Sequence, residues 1–173
     1  TVAFNVTAPN RYKVIANGAA LGNTENEDGT VTYNYKSSKP IPTKVMVAGI
    51  ADFAVQNIEP TLSAIPVSSW VYPQQAEEGF RDFAVADSII HFFEEKIGPF
   101  PFDKLAYVQS KTRYGGMENA GCIFYNESAI TGEQNIEALI AHEIAHQWFG
   151  NSVSEQDWPH VWLSEGFATY FAN

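Results

Sequence analysis

His142-Glu143-Ile144-Ala145-His146 sets two imidazoles four residues apart with a carboxylate beside the first. On a helix such residues stand one turn above each other, about 6 Å in rise, so both rings can converge on one ion. Glu143 lies about 100° further round the axis, too far offset to join them comfortably as a third ligand but able to reach a water on that ion. In a chain with four His, a shuffled sequence would show this pattern on the order of one time in a hundred, so a third ligand is the test. Zinc hydrolases commonly combine His, His and Glu with a fourth position open to water. The acids downstream are Glu155, Asp157 and Glu165, and Glu165 lies in Trp162–Tyr170, which reads as a second helix. A long loop between two antiparallel helices would return Glu165 to the metal face of the first.

These residues need elements to hold them. Thr131-Gly132-Glu133-Gln134 fits a capping box, and Ile136, Leu139, Ile140, Ile144 and Trp148 follow at helical spacing until Gly150, which predicts a helix from Glu133 to Phe149. Ala76 to Ile97 has the same periodicity and stops at Gly98-Pro99. Leu105–Gln109 and Gly121–Tyr125 read as strands flanking a turn at Gly115-Gly116. Residues 1 to 57 are rich in Val, Tyr, Thr, Asn and Gly, with Tyr12–Ala16, Val31–Tyr35 and Lys44–Ile50 as antiparallel strands, and Pro60, Pro66 and Pro73 mark a connector. The fold class expected is α+β. Trp148, Phe149, Trp158, Trp162, Phe167 and Phe171 are expected to pack between the two helices. His91 reads as a helix-surface residue, and His160 and Asp157 as candidates for supporting a ligating imidazole from behind.

Composition narrows the function classes. With 45% hydrophobic and 17% charged residues, the 173-residue chain is ordinary globular sequence, and no apolar stretch approaches the ~20 residues of a membrane span. Every Lys and Arg lies at or before Arg113, so residues 114 to 173 carry eight acids and no base. That excludes a nucleic-acid surface there, since counterion release needs Lys and Arg. It fits either a solvated acidic face or acids gathered about a cation. The single Cys122 can form neither an internal disulfide nor a thiolate cage, and reads as a small buried hydrophobe.

His142-Glu143-x-x-His146, eighteen intervening residues, and Glu165 within Trp162-Leu163-Ser164-Glu165-Gly166-Phe167-Ala168 resemble the gluzincin signature of aminopeptidase N-type zinc metallopeptidases. His146-Gln147-Trp148-Phe149-Gly150-Asn151 is that family's continuation, and Gly115-Gly116-Met117-Glu118-Asn119 resembles its exopeptidase motif. Gly116 stands for the usual alanine, as in the leukotriene hydrolase branch, and Ser164 for the usual asparagine; neither change removes a ligand or a titrating group. The resemblance is strong over residues 60 to 173 and loose before that. It implies the end of an N-terminal β-rich domain at 1–57 and the first part of a thermolysin-like catalytic domain at 58–173.

The same resemblance implies roles. His142, His146 and Glu165 would hold one zinc ion, Glu143 would be the general base, and Glu118 would grip the free α-amino group of a peptide substrate. Gly115, Gly116, Met117, Glu118 and Asn119 would run as an edge beside the peptide, fixing cleavage after its first residue. The family's oxyanion-stabilising tyrosine lies tens of residues beyond the zinc glutamate and has no match here, as Asn173 is eight residues past Glu165. The implied whole is therefore a zinc aminopeptidase of which this chain is a fragment, inactive alone and completed by a C-terminal part. Two alternatives stand beside it: a non-catalytic metal- or peptide-binding module of the same fold, which would not need Glu143, and a gluzincin endopeptidase, which would not need Glu118.

Overall fold

The structure is a computed structural model that describes residues 1–58 and 65–173; Pro60 of the expected connector lies outside them. The fold is α+β. In chain order the described elements are β1 (Ala3–Pro9), β2 (Lys13–Ala16), β3 (Ala19–Glu25), β4 (Thr30–Lys36), β5 (Ala48–Ala51), β6 (Ala54–Ile58), β7 (Val67–Val71), α1 (Ala76–Asp82), α2 (Ala86–Lys96), β8 (Leu105–Ser110), β9 (Gly116–Met117), β10 (Cys122–Asn126), α3 (Glu137–Ala145) and α4 (Trp162–Ala172). An antiparallel sheet β1-β4-β3 and a two-stranded β2-β5 pair occupy the N-terminal part, beside a five-stranded sheet in the order β6-β7-β8-β10-β9.

The five-stranded sheet is the platform for the site. β7, β8 and β10 run parallel, the first two joined through α1 and α2 as a parallel pair requires. Both faces are covered, which is why Leu105–Val108 and Cys122–Tyr125 read as unbroken apolar runs. Leu105, Tyr107, Ile123 and Tyr125 point into one core with Phe83, Ile90 and Phe93 of the helical layer and Ile140 and Ile144 of α3. Their neighbours Ala106, Val108, Cys122 and Phe124 point into a second core with Val14, Ile15, Tyr35 and Phe53 of the N-terminal strands. The expected turn between the two strands is more than a turn: the chain leaves β8, returns as β9 antiparallel to β10, and makes β9 the last strand of the sheet.

The Thr131–Gln134 capping box does not form. Thr131 Oγ1 accepts from the Glu133 amide at 3.2 Å, but Gln134 sits in the left-handed region (φ 55°), where a helix cannot start. Buried Asp82 instead accepts the amides of Thr131, Gly132 and Gln134, each at 2.8 Å, and α3 begins only at Glu137. It also ends early, at Ala145, although the His146 amide still bonds the His142 carbonyl at 3.3 Å, so the one-turn spacing of the two rings survives. The Ala76–Ile97 helix is found with a short 3₁₀ break at Phe83–Val85. Lys44–Ile50 splits into a 3₁₀ turn at Thr43–Val45 and the strand β5.

Candidate metal centre and amino-end anchor

α3 and α4 pack together, and the seam between them carries the donors. Past the end of α3, the Phe149 ring stacks on Phe167 and Phe171, with centroids 4.6 and 5.5 Å apart, so residues one turn apart on α4 grip the end of the metal helix. This brings Glu165 back to the rings. His142 Nε2 and His146 Nε2 lie 3.1 Å apart, and Glu165 Oε2 is 3.4 Å from the first and 3.5 Å from the second. Tetrahedral zinc, with ligands about 2.0–2.1 Å away, separates any two of them by about 3.3 Å, so the three atoms fit three corners of one tetrahedron.

Ring chemistry supports the same fit. His146 is 2% exposed, and its Nδ1 faces the Phe149 carbonyl at 3.2 Å. A carbonyl only accepts, so Nδ1 carries the proton and Nε2 keeps a lone pair for the point that it, His142 Nε2 and Glu165 Oε2 surround. Ser164 Oγ is 3.0 Å from the same Nδ1 and donates to the Phe149 carbonyl at 3.4 Å. Gly150 (φ 113°) makes this possible, since a Cβ there would lie 2.1 Å from Ser164 Oγ. Burial first, then the neighbouring His146, hold His142 below its ordinary pKa despite the opposing Glu165 and Glu118 charges, which favours the neutral ligating ring.

Glu143 is buried beside this cluster. Desolvation first, then the charges of Glu118 and Glu165, push its carboxyl up to about 8. Its Oε1 rests against Gly116, where a Cβ would come within 2.3 Å. The close backbone approach attributed to this glycine is thus made toward the carboxylate of α3. Gly115 is exposed, Gly116, Met117 and Glu118 are half-buried, and Asn119 is buried, with its carbonyl accepting the Cys122 amide at 3.0 Å.

Several expected partners are placed elsewhere. Asp157 Oδ1 meets His160 Nδ1 at 2.5 Å, and both side chains are more than half exposed, so the two pair with each other. The expected packing between the helices holds for Phe149, Phe167 and Phe171, whereas Trp148 packs against Phe93 of α2 and Phe100, and Trp158, 73% exposed, and Trp162 face outward. His91 sits on the surface of α2, 3.5 Å from Glu95. Cys122 is buried, its thiol pushed up to about 11 by desolvation. Sequence reasoning assigned no role to Gln147 and Asn151, although polar residues continuing a buried helix face four apart were the signal. Both amides donate to the Glu118 carbonyl, at 3.1 and 2.5 Å.

Comparison with known proteins gives the family. Residues 81–173 match the Peptidase family M1 domain. Glutamyl aminopeptidase of Sus scrofa is 29% identical over 184 aligned residues, covering 99% of this chain and 19% of that protein. Aminopeptidase N of Oryctolagus cuniculus is 31% identical over 186, covering 96% and 19%, and leukotriene A-4 hydrolase of Xenopus laevis is 27% identical over 140, covering 80% and 22%. The chain thus spans about a fifth of the length of these relatives. Because the matched region runs from α1 through both helices that carry the donors, the chain belongs to the M1 peptidase family.

Proposed function

We propose that the chain carries the metal centre and amino-end anchor of a zinc-dependent aminopeptidase, which removes the first residue from peptides with a free N-terminus. The observation that carries this reading is the spacing of His142 Nε2, His146 Nε2 and Glu165 Oε2 at 3.1 to 3.5 Å, with a buried Glu143 beside them. Zinc held there would lower the pKa of water and polarise the scissile carbonyl. Glu143 takes the proton from the attacking water and returns it to the leaving amine, a task that needs its ionised form, which the charge of a bound cation beside it would favour. Glu118 pairs with the substrate ammonium, and the outer side of β9 offers backbone groups to an extended peptide. At the length of its relatives, the polypeptide needs further segments to complete the oxyanion site and close the cleft.

The test separates metal from substrate. Cys122→Ala should keep stoichiometric zinc and His146→Ala should lose it, by elemental analysis of the purified chain. In the full-length polypeptide, Glu118→Ala should weaken cleavage of free-amine peptides by about 2–5 kcal/mol, as when one member of a buried charge pair is removed. Rapid turnover of N-acetylated peptides by the parent would overturn the aminopeptidase reading while leaving zinc hydrolysis intact.

A further inference from the structure

The segment bearing Glu118 is held by side-chain amides from two distant parts of the chain. Gln147 and Asn151, both buried, lie four residues apart in the turns beyond α3 and donate to the same oxygen, the Glu118 carbonyl. Gln147 uses its other end as well, where Oε1 accepts the Gly121 amide at 2.8 Å. From the N-terminal strands, buried Asn17 donates to the Ala120 carbonyl at 2.8 Å and the Val45 carbonyl at 3.1 Å, and its Oδ1 accepts the Val47 amide at 2.6 Å. The Ala120 amide in turn bonds the Val45 carbonyl at 3.2 Å.

Two donors on one carbonyl fill both of its lone pairs and fix the peptide plane that follows Glu118. The Cα–Cβ vector of Glu118 is thereby set relative to Gln147, which follows His146 directly, and so relative to the metal ligands. We infer that Gln147 and Asn151 are positioning residues that hold the Glu118 carboxylate at a set distance from the metal, with Asn17 bracing the same segment from the other side. They would act as a ruler, making the gap between ammonium and scissile carbonyl that of one amino-acid residue. This rests on the reading of Glu118 as the amine anchor and adds the device that calibrates it. A carboxylate on an unheld turn would pair with amines at variable distance and would not discriminate the first peptide bond from the second.

The experiment compares two zinc-binding probes on the zinc-loaded protein, leucine hydroxamate and its des-amino analogue 4-methylpentanoyl hydroxamate, which differ only in the α-amino group. The parent should prefer the amino probe. Gln147→Met and Asn151→Ala should each reduce that preference by about tenfold, with zinc stoichiometry and affinity for the des-amino probe unchanged. An unchanged preference would overturn the inference, as would an equal loss of affinity for both probes, which would mean the amides serve the metal helix. A parent indifferent to the amino group would instead overturn the anchor reading itself and this inference with it. Because two residues act on one oxygen, either variant alone decides the matter if the other does not fold.

Discussion

Glu143 is the residue where burial and charge conspire most visibly. Its carboxyl, raised to about 8 by desolvation and by Glu118 and Glu165, holds a proton that the unfolded chain gives up near the ordinary value of 4.5. Between those values the folded state binds more protons than the unfolded one, so the contribution of this group is most favourable below about pH 4.5 and is lost as pH rises toward 8. Glu143→Gln removes the titration. Metal-free parent protein should therefore lose more stability than the variant between pH 5.5 and 8, read as the shift in urea midpoint, and equal shifts would refute the assignment. In the full-length polypeptide the same substitution should leave zinc bound and lower kcat by about a hundredfold or more, because a base is removed and a ligand is not.

At the scale of elements, α1 and α3 are tied by one carboxylate. Asp82 closes the turn at Thr131–Gln134 through three amides, and Arg81 adds a bond to the Gly132 carbonyl at 3.3 Å. Asp82→Ala would strand the buried Gly132 amide and release the part-covered amides of Thr131 and Gln134, and should cost on the order of 2 kcal/mol by chemical denaturation, with Asp82→Asn costing less because one acceptor remains. A loss below ~1 kcal/mol would show that water replaces the carboxylate. The Thr131–Gln134 motif is a fair local reading that loses to an acceptor 49 residues earlier in the chain, since a side chain bonding three amides outweighs one hydroxyl. Helix existence and the His142–His146 face were legible from periodicity. Where the helix starts was not, because that depended on which acceptor reached the free amides.

Taken whole, the molecule compensates its charge asymmetry through contact between distant regions. Residues 114 to 173 contain no Lys or Arg, yet the side chain of Glu155, in the loop before α4, is largely covered. Its cation is Lys44, which forms an ion pair with Glu155 and lies 5.7 Å from the centre of the Trp158 ring. The side chains are 27% and 5% exposed. Lys44→Met should leave the carboxylate buried and unpaired and cost about 2 kcal/mol, below the usual 3–5 for a fully buried pair because Lys44 keeps some water. Adding Glu155→Leu should recover part of that loss in urea unfolding. A double variant no more stable than the single one would mean that the pair orders the loop by geometry alone.

The chemistry available can be read along the chain: two imidazoles one turn apart, a carboxylate offset from them, and an acid on the next helix. Those follow from helical periodicity, which is local and survives tertiary packing. The sequence also left Cys122 without a disulfide partner and placed strands at 105–109 and 121–125, but that both faces of those strands are covered is a matter of packing. The rest came from packing between elements remote in the chain. The tetrahedral spacing of the donors depends on Phe149 stacking against Phe167 and Phe171, the tautomer of His146 on the Phe149 carbonyl and Ser164, and the setting of Glu118 on amides from Asn17, Gln147 and Asn151. The outward tryptophans make the same point in reverse, since an aromatic residue at helical spacing is packed only where another element covers it. Each of these contacts joins residues that no sequence period relates, and burial and hydrogen-bond satisfaction are settled only when the remote partner arrives.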